Sequence, residues 1–159
     1  MENITNIELI HTMENKVNNV YKFVKLYNDY ISRSRDYGFN EKLNMLSIHI
    51  LTDIDENPSI TVTELASKWY RTKGSISQVI KFLEKNNYII KKNNEVNKKI
   101  YHLYTTEKGN NASNMHKKYD FNNINKTLQK LLKDCSEEEI CSFYKVIDSY
   151  IKILKSTDK

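Results

Sequence analysis

Two neighbouring stretches decide how this chain folds: Ile60-Thr61-Val62-Thr63-Glu64-Leu65-Ala66, and Thr72-Lys73-Gly74-Ser75-Ile76-Ser77-Gln78-Val79-Ile80-Lys81-Phe82-Leu83-Glu84-Lys85. In the first, Thr61 followed by Glu64 is a capping box, in which the Thr hydroxyl takes the Glu64 N–H and the Glu carboxylate reaches back. It predicts a short helix over about 62–69, with Leu65, Ala66 and Trp69 inward. Thr72 then caps a second helix over 73–86. At about 100° per residue, Ile76, Val79, Ile80 and Leu83 fall together and face a core. Gly74, Gln78, Lys81 and Lys85 lie opposite, flanked by Ser77, Ser75 and Lys73, with Glu84 off to one side. That outer face is rich in donors, has no acid at its centre, and carries a glycine where another surface would approach closely.

Downstream, Tyr88-Ile89-Ile90 and Ile100-Tyr101-His102-Leu103-Tyr104 are β-branched and aromatic, which predicts two strands. The polar run between them, Lys91 to Lys99, makes a hairpin with a long basic tip. Two short helices followed by a basic hairpin describe a winged helix-turn-helix, in which the second helix enters a DNA major groove. Gln pairs with an adenine edge, Ser and Lys reach bases or phosphates, and the free N–H groups after Thr72 offer a phosphate site. The wing tip (Asn93, Asn94, Asn97, Lys98, Lys99) reaches phosphates or the adjacent minor groove. Charge agrees with this placement. Of a net +5 over 159 residues, residues 68–99 carry +7, against −4 for residues 1–67 and +2 for residues 100–159.

Upstream, Ile10, Met13, Val17, Val20, Val24, Tyr27 and Ile31 repeat at spacings of 3 and 4, a heptad seam. This predicts one long helix over roughly 4–35, needing a partner helix from its own chain or a second copy. A helix ending near residue 55, with Leu43, Leu46, Ile50, Leu51 and Ile54 inward, runs to Asn57-Pro58. After the hairpin, a helix runs from Thr106-Glu107-Lys108-Gly109 to about 133. A second capping box, Ser136 to Glu139, opens a last helix with Ile140, Phe143, Tyr144, Ile147, Ile151 and Leu154 on one stripe. Three Gly and one Pro in the whole chain suit such long helices joined by few turns.

The quoted stretches, with Tyr88-Ile89 and Leu103-Tyr104-Thr105-Thr106-Glu107-Lys108-Gly109, resemble the MarR family of bacterial transcription regulators, most densely over residues 60–109. The resemblance implies a mostly α-helical homodimer. Its layout would be a dimerisation helix in 1–40, a winged helix-turn-helix in 41–109 and further dimerisation helices in 110–159. Its partners would be double-stranded DNA, itself, and a small-molecule effector that releases a palindromic operator. DNA contacts are expected from Arg71, Thr72, Lys73, Gly74, Ser75, Ser77, Gln78 and Lys81, and from Asn97, Lys98 and Lys99 in the wing. There the family's Asp-Arg-Arg is represented by Asn97-Lys98-Lys99. Lysine lacks the arginine fork, so wing contacts should be mainly to phosphates. Trp69-Tyr70-Arg71 also departs from the small, often Gly-containing turn of the family. Tyr21, Tyr27, Tyr30, Tyr37 and Phe39 fall where the family's effector pocket lies. They serve as core and dimer seam, or as a stacking platform for an aromatic effector.

Other chemistry is thin. His11, His49, His102 and His116 show no metal-ligand spacing, so no metal and no cofactor is expected. Cys135 and Cys141 are too few for a disulfide framework. They read as small hydrophobes, with redox sensing by Cys135 near a helix start as the alternative. No phosphate loop, nucleophile elbow or carboxylate pair points to an enzyme. No apolar run of membrane-spanning length and no signal-peptide layout is present, and with so few cysteines, read as reduced thiols, a cytoplasmic location is expected. The rival to a DNA-binding regulator is a helical interaction protein whose basic face meets an acidic partner.

Overall fold

The computed structural model describes residues 2–14, 16–93 and 100–157. Its elements are α1 (Glu2–Glu14), α2 (Val17–Ser32), β1 (Arg35–Asp36), β2 (Lys42–Leu43), α3 (Met45–Glu56), α4 (Val62–Lys68), α5 (Lys73–Lys85), β3 (Ile89–Asn93), β4 (Tyr101–Thr105), α6 (Glu107–Leu131) and α7 (Glu137–Thr157). The mostly helical winged helix-turn-helix expected from the sequence is present. No helix among the described residues is long and apolar enough to cross a membrane.

The single long first helix is corrected to two. The Lys16 N–H donates to Met13 O at 2.9 Å and the Asn19 N–H to Lys16 O at 2.9 Å, both spanning three residues rather than four. These tight turns interrupt the α ladder in the polar stretch between Met13 and Val17, where no apolar side chain holds it. The heptad stripe continues across the break. Ile10, Met13, Val20, Val24 and Tyr27 each leave about half their surface exposed.

The two-residue ladder β1–β2, with Arg35 opposite Leu43 and Asp36 opposite Lys42, was not foreseen. Its connection is tied by the Asp36 carboxylate, which accepts from the N–H groups of Gly38, Phe39 and Asn40 at 2.7, 3.0 and 3.1 Å. Gly38 supplies the positive φ of +102° that the turn requires.

The chain divides into two compact units with the boundary after His116, inside α6. In the first unit, Ile48, Ile50, Leu51 and Ile54 of α3 are fully buried, with Leu65 of α4, Ile76, Ile80 and Leu83 of α5, Tyr88, Ile89 and Leu103. Each such side chain stabilises the fold by roughly 1.5–3 kcal/mol through its removal from water. Ile48 replaces Leu46 on the expected face of α3, Leu46 being only half-buried.

β3 and β4 pair antiparallel from Ile89 opposite Thr105 to Asn93 opposite Tyr101. A third edge joins at the base of this sheet. The Ser59 N–H donates to Leu103 O at 3.0 Å, the Leu103 N–H donates to Ile60 O at 3.1 Å, and Thr61 bridges His102.

In the second unit, the Ser136 capping box forms as expected. The Ser136 N–H donates to Glu139 Oε2 at 2.8 Å, and the Glu139 N–H donates to Ser136 Oγ at 3.2 Å. Phe143, Tyr144, Ile147, Tyr150, Ile151 and Leu154 of α7 are all exposed.

Candidate nucleic-acid interface

The two helices of the reading head are fixed end by end. At the start of α4, Thr61 Oγ1 accepts from the Glu64 N–H at 3.3 Å, while Glu64 Oε2 accepts from the Thr61 N–H and O–H at 2.7 Å each. Those two donors, hydroxyl first, hold the Glu64 carboxyl below the ordinary carboxylate range.

At the end of α4, the Tyr70 N–H donates to Ser67 O at 3.3 Å and the Arg71 N–H to Ala66 O at 3.0 Å, with Tyr70 left-handed at φ +49°. These are the paired bonds of a left-handed helix cap. The turn is also held from below by Asp53 of α3, which is buried. Its carboxylate accepts from Trp69 Nε1 at 2.6 Å and from Lys68 Nζ at 2.5 Å. Trp69 therefore anchors the entry to α5.

Thr72 caps α5, its Oγ1 accepting from the Ser75 N–H at 3.2 Å. The far end of α5 repeats the left-handed cap. There the Asn87 N–H donates to Glu84 O and the Tyr88 N–H to Leu83 O, with Asn87 at φ +59°.

Between these caps the faces separate as the spacing implied. Ile76, Ile80 and Leu83 are buried and Val79 is half-buried. Arg71, Thr72, Lys73, Gly74, Gln78, Lys81 and Lys85 are exposed, and Ser75 and Ser77 are half-buried. A Cβ added at Gly74 would meet nothing nearer than Thr72 Oγ1 at 3.9 Å, so no internal contact demands a glycine there. Glu84 pairs with Lys91 of the wing at 2.5 Å, which neutralises the one acid on α5 and ties the wing to that helix. Lys92 lies 4.8 Å over the Tyr104 ring. Among the described residues, Arg71, Lys73, Lys81 and Lys85 are exposed and make no ion pair. Of the wing-tip residues, Asn93 ends β3, while Asn94, Asn97, Lys98 and Lys99 lie outside the described residues.

The five aromatic residues considered for an effector lie on two segments, α2 and the β1–β2 connection. Tyr21, Tyr27 and Tyr30 are exposed on α2, with the Tyr27 and Tyr30 rings 6.2 Å apart. Tyr37 is buried and meets the His116 ring edge-on at 5.1 Å. Phe39 stands 6.4 Å from Tyr37 and 6.3 Å from Tyr88. Phe39 lines an open cleft of about 420 Å³ with Glu41, Tyr88, Lys108 and Asn111.

The sequence places Tyr88 in a strand and Lys108 at a helix start, and assigns no polar role to them or to Glu41. The Tyr88 hydroxyl donates to Glu41 Oε2 at 2.5 Å, Lys108 Nζ pairs with Glu41 at 2.8 Å, and the same ammonium lies 4.3 Å over the Tyr88 ring. Burial first, and then the bond to Glu41, push the Tyr88 phenol well above its ordinary value. Lys108 first, then Tyr88, hold the Glu41 carboxyl low. Two of the four histidines, distant in sequence, are close in space. His49 and His116 meet edge-on at 4.6 Å, His116 Nδ1 is 3.0 Å from Thr52 Oγ1, and His49 is 5.8 Å from Trp69.

Residues 43–101 match the family model described as "MarR family". Over 133 residues the chain is 23% identical to the HTH-type transcriptional regulator SarZ of Staphylococcus epidermidis, covering 80% of this chain and 85% of that protein. It is 28% identical over 112 residues to the uncharacterized HTH-type transcriptional regulator YhjH of Bacillus subtilis, covering 70% and 63% respectively. Among solved structures, the MarR family transcription regulator SP03579 superposes with a TM-score of 0.75 at 13% identity, over 96% of this chain and 97% of that one. Streptococcus pneumoniae FabT in complex with DNA superposes with a TM-score of 0.63 at 19% identity, over 92% and 98%.

Proposed function

The chain belongs to the MarR family, and from that premise we propose that this DNA-binding transcription regulator works as a homodimer that represses a promoter by covering a palindromic operator. The observation that carries the reading is the outer face of α5. Lys73, Gly74, Gln78, Lys81 and Lys85 are exposed opposite the buried Ile76, Ile80 and Leu83, and the helix's one acid is neutralised by the wing. In this reading Gln78 makes a base-edge contact, with Ser75 and Ser77 beside it. Arg71, Thr72, Lys73 and Lys81 hold phosphates, and Gly74 lets the duplex backbone come close. Asn97, Lys98 and Lys99 extend the phosphate contacts from the wing.

Residues 1–40 and 110–159 form the dimerisation layer around the 41–109 reading head. The half-exposed stripe on α1 and α2 and the exposed stripe on α7 support this, because so much apolar surface on separate helices is stable in water only when covered. Two reading heads then span half-sites about one helical turn apart. Release follows when an effector binds the geometry that does not fit DNA more tightly than the one that does. Tyr21, Tyr27, Tyr30, Tyr37 and Phe39 remain its proposed aromatic contacts.

The test is a pair of substitutions measured on a selected operator and on unrelated duplex. Gln78→Ala should relax preference at one position of each half-site, losing roughly 1–3 kcal/mol of discrimination. Lys81→Ala should weaken both duplexes alike and reduce the salt slope by about one. Unchanged sequence preference in Gln78→Ala refutes this orientation of α5.

A further inference from the structure

Asp53 of α3 is 8% exposed and is the one buried carboxylate among the described residues. Both of its oxygens go to the turn that joins the two reading-head helices. Oδ2 accepts from Trp69 Nε1 at 2.6 Å and Oδ1 from Lys68 Nζ at 2.5 Å. Taking a carboxylate out of water is costly, and an apolar side chain of similar volume often holds a core at least as well. What the carboxylate adds is direction. A short charge-assisted bond fixes the indole in a place where an apolar contact would let it slide.

The indole in turn fixes the entry to α5. Its ring lies 5.8 Å from that of His49, one turn before Asp53 on α3, so α3 holds Trp69 from two successive turns. Four residues, Trp69 to Thr72, separate α4 from α5, and Thr72 caps α5 through the Ser75 N–H. Gln78 follows Lys73 by five residues, about 7.5 Å along the helix axis. Ile76, Ile80 and Leu83 bury the inner edge of α5, but apolar packing is non-directional. Hydrogen bonds to a base edge need their donor held to about 0.5 Å.

We propose that Asp53 is a positioning residue for sequence reading: through the Trp69 indole it sets where α5 begins, and thereby whether Gln78 meets its base edge. The inference rests on the DNA-binding reading above. It gives Asp53 a role in telling sequences apart and none in general attraction to DNA, which phosphate contacts supply without sequence information.

Three variants of the full-length protein test it: Asp53→Leu, Asp53→Asn and Trp69→Phe. Each is titrated against the selected operator and against unrelated duplex, with Tm and, where Trp69 remains, its emission recorded alongside. Partial unfolding lowers the active fraction and weakens both duplexes equally, so the ratio of the two affinities reads positioning and is blind to stability. Asp53→Leu removes the acceptor at similar volume. It should shift the Trp69 emission and lose about tenfold in the ratio, the size of one well-made base contact, at unchanged salt slope. Asp53→Asn keeps a carbonyl oxygen for the indole and should restore most of the ratio and the wild-type emission. Trp69→Phe removes the donor and leaves the Asp53–Lys68 pair. It should lose the ratio to the same extent, and combining it with Asp53→Leu should add nothing.

A wild-type ratio in either folded variant, Asp53→Leu or Trp69→Phe, overturns the proposal, however far Tm falls. If Asp53→Leu does not fold, Trp69→Phe decides alone. Equal losses in Asp53→Asn and Asp53→Leu overturn it as well, because the charge and not the indole bond is then what counts. Failure of the DNA-binding reading looks different: the wild-type protein then enriches no sequence from a random duplex pool, and there is no ratio to lose.

Discussion

Gly74 separates the demands of the fold from those of the partner. It is the second residue of α5, where glycine is less favourable to a helix than alanine by up to about 1 kcal/mol. In the first turn roughly half of that is expected. Nothing in the molecule opposes a methyl group there, the nearest atom being 3.9 Å from the added Cβ, an ordinary contact. Gly74→Ala should therefore stabilise the protein by about 0.5 kcal/mol, a rise in Tm of about 1–2 °C for a chain of this size. If α5 lies in the major groove with its first turn against the duplex backbone, the same methyl group intrudes on a packed contact. Overpacking of that kind costs about 1–3 kcal/mol, or roughly five- to 150-fold in affinity.

Trp69 is the single tryptophan of the chain and sits at the entry to α5, so its fluorescence follows denaturant unfolding of this region directly. Fluorescence anisotropy of a labelled operator gives the affinity. Protomer concentration must be matched, because the proposed dimerisation would contribute to apparent stability. A more stable Gly74→Ala variant with undiminished operator affinity refutes the placement of this helix turn on DNA.

The other helical glycine should behave in the opposite way. A Cβ at Gly109 would sit on the Tyr88 carbonyl and press on Leu51 at 3.3 Å, so Gly109→Ala should destabilise by about 3 kcal/mol, and wild-type unfolding in that variant contradicts the close approach of α6 to the Tyr88 carbonyl. Trp69→Phe removes the indole donor from the buried Asp53 carboxylate and should destabilise by about 1–2 kcal/mol, read by circular dichroism because the fluorophore is gone. Folding raises the Tyr88 phenol above its usual 10, so stability should be present below pH 10 and fall as pH rises beyond it; Tyr88→Phe should flatten that alkaline slope. Folding lowers the Glu41 carboxyl below 4.5, so its smaller contribution is present above pH 4.5 and lost as pH falls, and Glu41→Gln should remove that acid dependence.

What the sequence made legible was local. The Thr61, Thr72 and Ser136 caps each involve groups three residues apart, and the buried edge of α5 follows from helical spacing alone. The break near Lys16 is invisible to a hydrophobic pattern, because the heptad stripe runs through it without a change of spacing. The β1–β2 ladder has two residues per strand, too short for any alternation to register. The polar anchors were hidden by distance along the chain. Tyr88 lies 47 residues from Glu41, Glu41 lies 67 from Lys108, and Asp53 lies 16 from Trp69. None of these residues belongs to a motif that announces its partner. Gly109 stood out within a recognisable string, yet its reason, the close approach of α6 to the Tyr88 carbonyl, is purely tertiary. For the reading face, the sequence supplied the residue types, and the burial pattern of α5 showed which of them face outward.

The central claim, that this face of α5 reads a DNA sequence from a two-fold assembly, is tested most directly by selecting bound duplexes from a random pool with the full-length protein. The account predicts enrichment of a palindrome whose half-sites are about 10 bp apart, centre to centre. Binding that enriches no sequence and vanishes as salt rises would contradict it, leaving a basic surface that attracts any polyanion.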